Sequence, residues 1–138
     1  MIVYPAYIYM GSAGGPANPV IFQQNEINYN YSGTNFTETT NGYLRMDGKS
    51  ELVFTGLDLS NFEKLSVTGY NNLSNSGSLI INFIDNSGNV SDDISRSFKA
   101  DGRSTRSYTI PTEYKKPKSK IKLSTNGHRL LLETAILS

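Results

Sequence analysis

The chain has no cysteine, no tryptophan and a single histidine, His128, in 138 residues. Without cysteine there is no disulfide framework, no thiol nucleophile and no thiolate-held zinc. One histidine excludes a His-rich metal site and leaves little for Ser-His-Asp catalysis. Long apolar runs are missing too: the longest are four or five residues, far short of the roughly 20 that cross a bilayer. Membrane insertion is therefore not expected. The opening Met1-Ile2-Val3-Tyr4-Pro5 lacks a basic segment followed by a long apolar stretch, so no secretory signal is read. Charged residues are scarce at 18%, and hydrophobic residues are low at 37%.

Small polar residues fill the gap. There are 17 Ser, 14 Asn, 11 Thr and 12 Gly. Asn, Gly and Ser are weak helix formers and good turn formers, which excludes a helical bundle. Disorder is excluded because nine Tyr, six Phe and many Val, Ile and Leu sit in short alternating runs. The length suits one domain with an ordinary core.

The alternation is clearest from residue 50 onward. Leu52 and Phe54, Leu65 and Val67, Leu79, Ile81 and Phe83, then Ile121 and Leu123 each alternate with polar or solvent-tolerant neighbours. Asp85-Asn86-Ser87-Gly88-Asn89 reads as a tight turn, and Asn126-Gly127 as a type I′ hairpin signal. Leu130, Leu132, Thr134 and Ile136 form the closing strand. Earlier, Tyr43, Leu44 and Met46 follow an Asn41-Gly42 turn signal. About eight to ten such runs at regular spacing predict an all-β fold, a two-sheet antiparallel β-sandwich of jelly-roll-like form.

Residues 1–24 differ from the sandwich expected over 25–138. Gly11 to Pro19 holds three Gly and two Pro, so it is a surface loop or hinge. The segment reads either as a first strand with a loop beside it or as an arm that docks on another subunit. Tyr4, Tyr7 and Tyr9, with no charge among them, are the candidate assembly contacts.

Net charge is +1, but it is unevenly spread. The first 44 residues hold no Lys or Arg, whereas ten basic residues fall between Arg96 and Arg129 against only Asp101 and Glu113. Arg103, Arg106, Lys115, Lys116, Lys118, Lys120 and Lys122 are candidates for holding a polyanion. The plainer explanation is alternate strand residues facing water. Tyr108 and Tyr114 interleave with these cations as a nucleic-acid platform requires. The pI near 7.9 and the lack of an RNA-binding signature rank nucleic acid below a sugar or a polyanion.

No catalytic motif emerges. The 12 acids include one adjacent pair, Asp92-Asp93, whose side chains would point to opposite faces on a strand and be solvated in a loop. No G-x-S-x-G elbow and no phosphate loop is present. The Asp85 turn lacks the order of a calcium loop. The expectation is no catalysis, no cofactor and no metal. A saccharide site needs an aromatic face and a few placed polar groups. Tyr29 with Tyr31, and Tyr70 with Asn71 and Asn72, supply these, and Arg45 or Arg103 could join them. Alternating tyrosines also serve as core or cross-strand pairs.

Three stretches carry a resemblance: Leu57-Asp58-Leu59-Ser60-Asn61-Phe62-Glu63-Lys64-Leu65-Ser66-Val67, Gly77 to Asn89, and Ser107-Tyr108-Thr109-Ile110-Pro111 followed by Lys120 to Leu123 and the closing strand. Their order resembles jelly-roll carbohydrate-binding modules. It is also similar to small baseplate and tail-tip proteins of siphophages infecting Gram-positive bacteria, including the shoulder domains of lactococcal receptor-binding proteins. The resemblance implies a structural or adhesion subunit of a virion tail tip. Such a subunit docks to other virion proteins or to copies of itself and reaches a cell-surface saccharide. The absence of Trp, on which sugar modules commonly stack, departs from that pattern.

Overall fold

The structure is a computed structural model and describes residues 17–138. Ten strands follow in order: β1 (Val20–Gln23), β2 (Glu26–Ile27), β3 (Tyr31–Glu38), β4 (Leu44–Leu57), β5 (Lys64–Asn71), β6 (Gly77–Ile84), β7 (Ile94–Phe98), β8 (Gly102–Thr109), β9 (Ser119–Thr125) and β10 (Leu130–Leu137). Among the described residues, one 3-10 turn covers Thr112–Tyr114. Every strand pairing is antiparallel. The architecture is an all-β, two-layer sandwich of jelly-roll type.

One layer runs β8-β5-β10. The far edge of β10 is continued by β4 at 130–132 and by β1, with β2 beyond it, at 135–136. The other layer runs β7-β6-β9-β4-β3. β4 belongs to both: Leu44 to Met46 face β10, and Ser50 to Leu57 face β9. The sequence pattern reads these halves as separate strands, but one continuous strand bends between them. The bend lies at Gly48, where φ is +61°, a region that costs a residue with a Cβ but not glycine. β3 bends alongside at Asn35, also at positive φ, where its register with β4 shifts. The Ser50 hydroxyl lies 2.7 Å from the carbonyls of both Asn35 and Asp47, sharing its one proton between the two bends.

Asn126-Gly127 is not a hairpin. β9 and β10 lie in different layers, and this segment carries the chain from one to the other. Gly127 does take a positive φ of +82°. A turn dipeptide fixes its own backbone, not the sheet that receives the next strand. Gly127 N–H and the Thr125 hydroxyl both donate to the Gly48 carbonyl, at 3.2 and 2.7 Å. Arg129 reaches Asp47 at 3.0 Å. The two crossings between layers are thus fastened to each other.

The start of the sandwich lies before residue 25. β1 pairs with β10, and Ile21 and Phe22 are buried in the core. Tyr4, Tyr7 and Tyr9 fall outside the described residues.

The core fills the space between the layers, as the period-2 pattern requires. Leu52, Phe54, Leu79, Ile81, Phe83, Ile121 and Leu123 of one layer meet Leu65, Val67, Tyr108, Leu130 and Leu132 of the other, all buried. Each such side chain stabilises by about 1.5–3 kcal/mol. The rings of Phe22 and Phe54 stack at 5.7 Å between centroids. The Tyr108 hydroxyl crosses the interior to donate to the Leu79 carbonyl at 2.9 Å. Burial of that hydroxyl holds its pKa well above the usual tyrosine value.

Candidate functional site

The pleat of β5 sends Leu65, Val67, Gly69 and Asn71 inward, and Lys64, Ser66, Thr68 and Tyr70 to the outer face. Register then decides what stands beside Tyr70. Arg103 of β8 lies opposite it on one side and Leu131 of β10 on the other. Arg45 of β4 follows Leu131, and Thr37 of β3 follows Arg45. At about 4.8 Å per strand, Arg45 and Arg103 end a row roughly 14 Å long.

Arg103 is the centre of this surface. Its Nε and Nη2 donate to the two carboxylate oxygens of Glu133 at 2.6 and 2.8 Å. Its guanidinium carbon lies 5.7 Å from the centroid of the Tyr70 ring. The hydrogen bonds to Glu133, more than any other cause, raise the Arg103 pKa, and the nearby Tyr43 and Tyr70 add to the rise. The pair is asymmetric: the Arg103 side chain is 60% exposed and that of Glu133 only 11%. Glu133 sits where the β10–β5 register slips between Leu132 and Thr134, and such a bulge re-aims a side chain. Glu133 and Thr134, with Gln23, Gln24 and Tyr43, line a shallow cleft of about 250 Å³. Gln23 and Gln24 donate their amide N–H groups to Glu26 and to the Asn41 carbonyl, both at 2.8 Å. Their amide oxygens remain as acceptors.

Tyr70, Arg45 and Arg103, all named from the sequence, therefore share one row. Arg45 is tied to Asp47 at 3.1 Å. Asn71 faces inward and organises the next turn, donating to the Asn75 carbonyl and accepting from Leu73 N–H. Asn72 is exposed beside it. Tyr29 and Tyr31 do not join the row but pack against the edge of the core. Tyr29 donates to the Asn18 carbonyl at 2.7 Å. Tyr31 stacks on Phe54 and bonds Glu38; burial first, then that carboxylate, raises its pKa.

The basic stretch is scattered. Arg106 donates to the Ser97 carbonyl at 2.6 Å, Lys115 pairs with Glu63 at 2.5 Å and Lys116 approaches Asp85 at 3.9 Å. Lys120 and Lys122 point outward from β9, on the opposite layer from Tyr70, and Lys118 is exposed just before them. A second cleft of about 220 Å³ lies between Val90, Asp92, Glu113 and Tyr114. Among the described residues, no group of three or more His, Asp or Glu side chains could hold a metal ion, and no helix is long and apolar enough to cross a membrane.

No protein-family model matches the chain, and no curated protein matches its sequence. Solved structures do. A family 29 carbohydrate-binding module, studied for ligand recognition, superposes with a TM-score of 0.61 at 16% identity, over 86% of this chain and 89% of that one. CsCBM6-3 from Clostridium stercorarium, in complex with cellobiose, gives 0.56 at 13% identity, over 80% and 87%. The C-terminal family 22 carbohydrate-binding module of Clostridium thermocellum Xyn10B gives 0.55 at 12%, over 78% and 84%. At these identities the likeness establishes the fold: the jelly-roll sandwich of carbohydrate-binding modules.

Sequence reasoning misses Tyr43, Glu133 and the two glutamines. Glu133 alone carried a signal, as the one charged residue within the closing run Leu130–Leu137.

Proposed function

We propose that this chain is a non-catalytic saccharide-binding module whose site is the outer face around Tyr70 and Arg103. The observation that carries this reading is the Tyr70–Arg103–Glu133 assembly beside the Tyr43 cleft. A sugar needs an apolar face for its C–H groups and fixed donors and acceptors for its hydroxyls. Tyr70 and Leu131 supply the first. Arg103, Gln23, Gln24 and Tyr43 supply the second. The guanidinium is held by two bonds to Glu133, so its geometry is set before a ligand arrives. The shared fold of solved carbohydrate-binding modules supports the same reading by analogy. Tyrosine at this position answers the missing tryptophan.

The test is a glycan array followed by titration calorimetry on the positives. Binding is expected, and Tyr70→Ala and Arg103→Ala should each abolish or sharply weaken it. Binding that survives both substitutions and is lost on replacing Lys118, Lys120 and Lys122 would instead support polyanion capture on the opposite layer. The virion tail-tip setting rests on the sequence resemblance. Within it, the module would be the part that meets the cell-surface saccharide, and residues 1–16, with Tyr4, Tyr7 and Tyr9, the part that docks to other subunits. Co-sedimentation of the full chain with tail particles, compared with residues 17–138, tests that setting.

A further inference from the structure

We infer that the Tyr70 face selects uncharged saccharides over acidic ones, and that Glu133 is the residue that sets this selectivity. The inference rests on the saccharide-binding reading and names the ligand class within it.

The cation beside Tyr70 is already neutralised. Arg103 is paired with Glu133, whereas Arg45 and Arg129 share Asp47 at the far end of the row. Beside Tyr70 the Arg103 guanidinium and the Glu133 carboxylate cancel, although the neighbouring stretch of sequence is strongly basic. The two partners of Arg103 compete unequally. Glu133 is largely withdrawn from water, and both of its oxygens are taken by the guanidinium. A uronate or other acidic ligand would compete for Arg103 with that withdrawn carboxylate, and a buried carboxylate left unpaired is an arrangement proteins avoid. Even on the remaining N–H groups it would bring its own negative charge beside Glu133.

A neutral hydroxyl meets no such obstacle. Arg103 has five N–H donors and the Glu133 bonds use two, which leaves three for sugar oxygens. Those donors are strengthened by the charge and fixed in direction by the fork geometry. Acceptor capacity comes from the Gln23 and Gln24 amide oxygens at the cleft. The resulting surface offers hydrogen bonds in both senses around a charge-balanced Arg103–Glu133 pair.

The experiment compares the full chain with Glu133→Gln on an array holding neutral oligosaccharides next to uronate-containing, sulfated and sialylated ones. Glutamine keeps the shape and removes the charge, so the released guanidinium becomes available to an anion. The wild-type chain is expected to bind only neutral chains, with little response to added salt. Glu133→Gln should gain binding to acidic chains by tenfold or more, and that gain should fall with salt. Arg103→Gln should lose the neutral binding and gain nothing. Circular dichroism and thermal melting of each variant confirm that it is folded. Wild-type binding to acidic glycans, or an unchanged neutral-to-acidic ratio in a folded Glu133→Gln, overturns the inference while leaving the saccharide-binding reading intact. Binding to no glycan at all overturns that reading, and the inference with it.

Discussion

Arg96 of β7 and Arg106 of β8 reach across one open side of the sandwich in opposite directions, each to the other's strand. Arg96 donates to the Ser107 carbonyl at 3.3 Å and lies 5.8 Å from the centroid of Tyr108. Arg106 donates to the Ser97 carbonyl at 2.6 Å and lies 5.9 Å from the centroid of Phe98. β7 and β8 end their respective layers, so their outer backbone groups would otherwise be free to recruit another strand. Two cations thus close an edge and cover two core rings. This gives part of the basic stretch a structural task.

Replacing either arginine by alanine is expected to destabilise by about 1 kcal/mol, the scale of an exposed cation–ring contact with one cross-strand hydrogen bond. Because the two act on the same seam, the double variant should depart from additivity. Urea denaturation of the four proteins measures this. The double variant should also aggregate more readily, as light scattering would show.

The Tyr70 platform gives the second prediction. Tyr70→Ala should weaken glycan affinity by roughly 30-fold, about 2 kcal/mol for an aromatic anchor. The melting temperature should change little, since Tyr70 lies on the outer face. Tyr31→Ala should do the opposite, lowering stability through loss of its stack on Phe54 and leaving the affinity of the folded protein near its original value. Calorimetry for binding and for unfolding separates the two effects.

Tyr108→Phe tests the strut between the layers. It removes the hydroxyl that donates to the Leu79 carbonyl and nothing else. A cost of about 1 kcal/mol is expected for a buried neutral hydrogen bond, read from the shift in denaturation midpoint at constant slope.

Asp85 makes the fold sensitive to acid. Its side chain accepts from Ser87 N–H, Asn89 N–H and the Asn89 amide. The Asn89 side-chain bond, foremost, holds its pKa below the ordinary carboxylate value. A depressed folded-state pKa contributes stability that is present above the unfolded pKa and lost as pH falls through the folded one. Asp85→Asn should therefore melt below the wild type at neutral pH. The two curves should converge at strongly acidic pH, once the carboxyl is protonated in both folded and unfolded chains. A melting series from neutral to acidic pH checks the convergence.

Gly48→Ala probes the bend in β4. No atom lies within 4 Å of where a Cβ would sit, so crowding is not the issue. The cost comes from the positive φ, about 1–2 kcal/mol. Gly48→Asn should cost less, because asparagine tolerates that region. If the alanine and asparagine variants unfold at the same denaturant concentration, backbone strain is not what selects glycine here.

The sandwich was legible because period-2 burial leaves its mark residue by residue. Leu52, Phe54, Leu79, Ile81, Phe83, Ile121 and Leu123 all point inward as their alternation requires. Asn126-Gly127 misled because a turn signal is local, whereas the choice of sheet depends on partners far away in sequence. The same limit governs the site. Tyr70, Arg45 and Arg103 could be named as types, but the register that aligns them links β3, β4, β10, β5 and β8. Glu133 becomes Arg103's partner only through a slip of one residue in β10, and no periodicity announces that slip.

The bend at Gly48 also bears on how the molecule comes apart. One covalent strand serves as a rung in both halves, and the return crossing at Gly127 is tied to the same carbonyl. Neither half can peel away while the other stays intact, because each would have to tear a piece from its neighbour. Loss of structure should then be all-or-none, and assembly should wait on encounters between distant parts of the chain. A binding face built on such a frame stays whole until the entire body gives way.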